Sequence, residues 1–193
     1  MATKTQGASV LSLQQVSGNC ILISSVQSLS TQIFATVFVG IARLARSDGG
    51  MVRLRLEANP NSAGDGFWVP VMTHLALATG QAPTTNVTGT VGSGTNVITV
   101  SNTENFRVGD LIFIQNSTIG NSEFGRVKSI SENTSLTIED NLANAQTGST
   151  IYGNAEFHSF NFDCTGYYRV RLVVDTLRCS QPVAVVSTMV SAV

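Results

Sequence analysis

Charge is what this sequence has least of. Of its 193 residues only 12% are Asp, Glu, Lys or Arg, about half the roughly 25% of an ordinary soluble domain. Lysine is confined to Lys4 and Lys128. With a formal net charge of -1, the chain lacks the clustered cations that displace counterions from a phosphate backbone, so specific nucleic-acid binding is not expected. Low net charge also leaves association weakly opposed, which suits a protein packed against others. Long hydrophobic runs are missing too. The longest, Ile33 to Ala42, has ten residues, well short of the roughly 20 a membrane helix needs. Residues 1–9 hold no apolar stretch behind a basic one, so no secretory signal is read there and no membrane partner is expected.

Cysteine and histidine are scarce. Cys20, Cys164 and Cys179 are odd in number and widely spaced, with no CxxC pair. The expectation is buried free thiols and no metal site, although a hairpin could bring Cys164 and Cys179 together as a bridge. His74 and His158 are the only histidines. They fall in separate strand-like runs with no nucleophile motif beside either, so packing or surface roles are expected and catalysis is not. Gly89-Thr-Val-Gly-Ser-Gly94 lacks the lysine and following helix of a phosphate loop and reads as a turn. Asp163 and Asp175 match no paired-carboxylate pattern. Asn86, Asn116 and Asn133 fit the glycosylation acceptor pattern by chance in a chain this rich in Asn, Ser and Thr. No enzyme activity and no cofactor is expected.

What fills the sequence instead is Ser, Thr, Asn, Gly and Val, the composition of many short strands joined by polar turns. Thr31 to Leu44 is β-branched and aromatic on both faces, is interrupted by Gly40 and has no helix cap, so it predicts a buried strand. Asp48-Gly-Gly50 is a turn signal. Met51-Val-Arg-Leu-Arg-Leu-Glu57 alternates strictly, with Val52, Leu54 and Leu56 on one face and Arg53, Arg55 and Glu57 on the other. Phe67 to His74 is a strand whose Pro70 suits an edge or a bulge. Glu156 to Phe162, Tyr167 to Asp175 and Pro182 to Val190 are further strands.

Between these runs lies a segment of different cadence, Thr88 to Gly153. Its strands are shorter: Asn96-Val-Ile-Thr-Val100, Phe106 to Ile114, Phe124 to Ile130, Ser135 to Ile138 and Gly148 to Tyr152. Val108-Gly-Asp110 predicts a turn in which Gly109 takes a positive φ and Asp110 bonds backbone amides. The segment carries a net charge of -3 and the remainder +2, read as solvated loop charges or as complementary docking. The expected architecture is all-β. It comprises a flexible arm over 1–9, a discontinuous jelly-roll-like β-sandwich over 10–87 plus 154–193, and an inserted small β-barrel over 88–153.

The inserted segment, with Phe106-x-Val-Gly-Asp-x-Ile-x-Ile114, Glu123-Phe-Gly-Arg-Val-x-Ser-Ile130, Thr134-x-Leu-Thr-Ile138 and Ala145-Gln-Thr-Gly-Ser-x-Ile-Tyr152, resembles a small β-barrel module of tailed-bacteriophage virion proteins. The flanks, with Trp68-Val-Pro-Val71 and Gly166-Tyr-Tyr-Arg-Val-Arg-Leu-Val-Val174, are similar to phage structural proteins of the head and its attachments. The resemblance covers most of the chain from about residue 31 and implies a virion component. The expectation drawn from it is a capsid decoration or cement protein, trimeric, bound to the major capsid protein or another virion protein. A neck, tail or fibre-adaptor protein is the alternative. A carbohydrate-binding module is a further class if Trp68, Tyr167 and Tyr168 form an exposed platform, and a β-sandwich hydrolase needs a polar cleft. Arg53 and Arg55 on one strand and Arg169 and Arg171 on another repeat one order, so they predict a basic stripe if the strands share a sheet. That stripe, with Lys4 on the arm, is the candidate partner contact.

Overall fold

The computed structural model describes residues 4–42, 46–77 and 82–192. Within them the chain is all-β. Strands run in the order β1 (Lys4–Ile23), β2 (Gln27–Ser28), β3 (Phe34–Ala42), β4 (Arg46–Asn59) and β5 (Val69–Leu77). There follow β6 (Thr84–Asn86), β7 (Thr90–Val91), β8 (Val97–Thr99), β9 (Leu111–Gln115), β10 (Glu123–Ser131) and β11 (Ser135–Ile138). The last are β12 (Gln146–Thr147), β13 (Thr150–Tyr152), β14 (Glu156–Asp163) and β15 (Arg169–Ala192). The described residues of 1–40, 46–79 and 157–193 make one compact unit, and those of 41–45 and 80–156 a second.

The first unit is built on β15. Its sheet follows the order β14-β3-β15-β4-β5, with β1 and β2 also paired to β15. Strand β1 runs antiparallel along β15 from Lys4 opposite Ala192 to Ile23 opposite Val173, with register shifts around Gly18. The alternation of β4 places Val52, Leu54 and Leu56 at 0% exposure, with Leu54 opposite buried Val174 and Leu56 opposite buried Leu172. That is the apolar face a half-buried strand must cover. Pro70 meets Glu57 where the β4–β5 register shifts, on the strand that ends the path, so its missing N–H disturbs no inner ladder.

Two local expectations change here. Residues 4–9, expected as a flexible arm, are the first part of β1 and pair with the end of β15. Main-chain pairing to an available strand edge needs no apolar side chain, so polarity did not exclude it. Asp48-Gly-Gly50, expected as a turn, lies inside β4. There the register shifts: Met51 and Arg46 of β4 face Leu177 and Cys179 of β15, so residues 47–50 bulge opposite Arg178, whose φ is 51°.

The second unit is a small barrel. Six strands follow the order β6-β13-β9-β10-β11-β8, and a bridge between Val87 and Val100, just past β6 and β8, joins the two ends. Ile98, Ile112, Ile114, Val127, Leu136 and Ile151 fill its core. Gly109 has φ 93°, and Asp110 accepts the Arg107 N–H at 2.7 Å, so Val-Gly-Asp makes the turn its residue types predict. Strand β6 belongs to this sheet through Thr85 opposite Ile151. The sheet therefore starts ahead of Thr88. Gln146, fully buried, donates to Glu123 at 3.0 Å and to the Asn121 carbonyl at 2.9 Å, and it accepts from Asn116 and Ser149. One polar side chain thereby ties together the β9–β10 connection, the start of β10 and the β12–β13 turn.

Candidate docking surface

Strict alternation decides what the outer face of β4 presents. With Val52, Leu54 and Leu56 inward, Arg53, Arg55 and Glu57 point the other way. The β15 register sets Asp175 opposite Arg53, Val173 opposite Arg55, Arg171 opposite Glu57 and Arg169 opposite Asn59. Cross-strand neighbours on one face interact directly. The arginines of the two strands do share a face, and acidic residues stand among them.

The pairing is dense. Arg53 holds Asp175 at 2.5 Å, and Arg55 reaches Glu57 at 2.9 Å and Asp175 at 3.3 Å. Arg171 binds Glu57 at 2.8 Å. Arg169 donates to the carbonyls of Asn61 and Gly64 and lies 3.8 Å from Asp65. Trp68 sits over two of them, with the Arg171 guanidinium 4.2 Å and the Arg169 guanidinium 5.3 Å from its ring centroid, inside cation–π range. The side chains of Arg55, Arg169 and Arg171 are consequently mostly covered, whereas that of Arg53 is 51% exposed. The side chain of Lys4 lies outside the described residues. Trp68 is half-buried under its guanidinium partners, and Tyr168 is exposed.

Around Arg53 the surface is apolar. Ile21 stands opposite Asp175, and Leu75 opposite Arg53, so Ile21, Asp175, Arg53 and Leu75 form one row across β1, β15, β4 and β5. Ile21 is 67% exposed, Leu75 47% and Leu177 40%. With Met51 they line a groove of about 560 Å³ whose lining also includes the Arg53–Asp175 pair. A second apolar patch lies on β3. Phe34 and Phe38 alternate outward and are exposed, flanking a smaller hollow of about 320 Å³ with Val190 and Ala192. The apolar excess of Ile33 to Ala42 and of the chain end is thus partly at the surface. Periodicity could reveal these outward residues but not the row they make, which depends on register.

The cysteines are free; Cys164 and Cys179 are buried and Cys20 is partly so. Burial pushes the Cys164 thiol up to about 11, with the charge of Asp163 adding to the effect. His74 and His158, remote in sequence, lie in ring contact with centroids 4.0 Å apart. No amphipathic pattern foretold that meeting.

No family model and no curated protein matches the chain. Among solved structures it is similar to VP17, a capsid protein of bacteriophage P23-77, at 9% identity and a TM-score of 0.18, over 100% of this chain and 99% of that one. It is also similar to the VP16-VP17 complex of the two major capsid proteins of that bacteriophage, at 10% identity and a TM-score of 0.21, over 100% of both chains. Likeness at that level carries no inference about what this chain does.

Proposed function

We propose that this chain is a non-enzymatic structural protein of a tailed-bacteriophage virion, and within it a decoration protein that binds the head shell. The observation that carries the reading is the row Ile21–Asp175–Arg53–Leu75. Exposed apolar side chains there surround an ion pair that is already neutralised. Such a face gains by burying apolar area and sets orientation through the central pair, as the core of a protein–protein interface does. Arg53 is the residue of the arginine stripe best placed to reach a partner, because Arg55 is held between Glu57 and Asp175 while Arg169 and Arg171 lie against Trp68. The uncharged Phe34–Phe38 face suits a second copy of the chain, in a homo-oligomer for which a trimer is the proposed state.

The two faces are separable by experiment. Phe34→Ser with Phe38→Ser should reduce the mass seen by light scattering to that of a monomer. Leu75→Asp with Ile21→Asp should leave that mass unchanged and abolish binding to heads that lack the protein. Mapping the protein in intact particles then fixes its place. Many copies across the shell agree with decoration, whereas a single ring at one vertex would transfer the protein to the neck or tail.

A further inference from the structure

The two histidines of the chain meet at the place where the first unit's sheet comes back upon itself. His74 is on β5 and His158 on β14, the two ends of the path β14-β3-β15-β4-β5. His74 stands opposite fully buried Leu54 in the β4–β5 register, so it points to the core side of the sheet. On β14 the half-buried positions Glu156 and His158 share a face with buried Phe160, while Phe157 and Ser159 are exposed. Strand alternation thus carries Glu156 and His158 together, two residues apart. The His74 and His158 rings are tilted by 39° with centroids 4.0 Å apart, and Phe160 closes one side at 6.4 Å from His74. One ligand atom from each of His74, Glu156 and His158 lies within 4.8 Å of the others, and all three residues are partly buried.

We propose that His74, Glu156 and His158 bind a divalent transition-metal ion, with zinc the best match, as a staple between β5 and β14. Zinc takes imidazole nitrogen at about 2.0–2.1 Å and carboxylate oxygen at about 2.0–2.2 Å, which puts neighbouring ligand atoms of a tetrahedral site about 3.4 Å apart. Side-chain rotation of about 1 Å brings the present cluster to that spacing. Two imidazoles and one carboxylate favour zinc over magnesium or calcium, which prefer oxygen-only shells. The fourth position is left to water or to a group from a neighbouring subunit. A metal here ties by side chains two strands that stand at opposite ends of the sheet path. Because folding assembles the ligands, binding energy becomes folding energy.

The test uses the full-length chain, stripped with chelator and kept reduced. Zinc should bind at a single ion per chain and raise the melting temperature by about 5–10 °C at a hundredfold excess over Kd, with magnesium giving no shift. Glu156→Gln, which preserves shape, should weaken zinc binding roughly tenfold, as loss of the one anionic ligand requires. His74→Asn with His158→Asn should abolish the shift. Since that double variant risks misfolding, cobalt(II) in the unmutated protein gives an independent readout. Absorption bands typical of nitrogen and oxygen ligation support the site, and thiolate charge-transfer bands would assign the metal to the cysteines and overturn it. No melting shift with zinc, an equal shift with magnesium, or a zinc shift that survives the double variant would each overturn it as well.

Discussion

Arg171 grips Glu57 directly across the β15–β4 ladder, at 2.8 Å through Nη2 and 2.9 Å through Nε, while its guanidinium lies 4.2 Å from the Trp68 ring centroid. Glu57 is only 5% exposed and also meets Arg55 at 2.9 Å. A buried carboxylate is tolerated because both its oxygens are paired. Glu57→Ala strands two mostly covered guanidinium groups. It should cost about 2–3 kcal/mol, at the low end for buried pairs because the arginines keep some solvent. Arg171→Met with Glu57→Leu should cost less than the single change, and chemical denaturation of the set measures the coupling.

Gly153 is set against Pro83, and a Cβ there would lie 2.5 Å from the proline Cγ. The Gly153 N–H also donates to the Pro83 carbonyl at 2.8 Å, so the approach is held from both sides. Gly153→Ala should lose about 1–3 kcal/mol by overpacking. Gly92→Ala is the matched control, since an added Cβ there meets nothing within 4 Å and its backbone needs no positive φ. Equal melting temperatures for the two variants would show that the Pro83 contact yields freely.

How far the sequence reached depends on which interactions decide each feature. Alternation in Met51 to Glu57 located a strand, its inner face and its outward arginines, because burial alone sorts those residues. Val108-Gly-Asp110 announced its turn because the chemistry lies within three residues. The row Ile21–Asp175–Arg53–Leu75 and the meeting of His74 with His158 depend on which strands pair and in what register. Those are long-range choices that local pattern does not encode. Asp48-Gly-Gly50 misled for a related reason, since the same glycine signal marks a bulge when the flanking residues pair with one neighbouring strand, as Arg46 and Met51 do with β15.

Two compact units on one chain predict two separable foldings. Strand β6 pairs with β13, and Gly153 is held to Pro83, so a clean excision has to include both contacts. Replacing residues 82–155 by a short Gly-Ser linker should leave a β-rich protein with a single cooperative melt. Residues 82–155 expressed alone should fold on the apolar core around Ile98, Ile112 and Leu136. A shortened chain without cooperative melting would show that the units depend on one another.

The thiols predict a pH dependence. Burial raises Cys164 to about 11 and raises Cys179 as well. Their ordinary value is 9.0, so above it the unfolded chain releases these protons while the folded chain still holds them. Stability is therefore fully present below about pH 9 and falls as pH rises toward 11. Replacing both residues by Ala should flatten that alkaline loss in urea melts at pH 8 and pH 10. At pH 8 a thiol reagent should modify Cys20 well before Cys164 or Cys179, because only Cys20 is partly exposed in the folded protein.

The first strand sets the last expectation. Lys4 to Ser9 pair with Thr188 to Ala192, so this polar stretch covers an edge of β15 that continues beyond the better-packed part of β1. Deleting residues 1–9 removes main-chain partners and, apart from Met1, Ala2 and Ala8, no apolar side chain. Stability should fall modestly, because backbone bonds exchanged with water contribute about 1 kcal/mol each or less. The larger consequence is an exposed strand edge, which is a template for pairing with another chain. A protein starting at Val10 should therefore self-associate more than the full-length chain, and a synthetic peptide of residues 1–9 added in excess should reverse this. The competing arrangement gives the segment to the edge of a neighbouring subunit in the particle. In that case truncation lowers occupancy on heads and leaves self-association in solution unchanged. Light scattering and a head-binding assay on the same two proteins distinguish them.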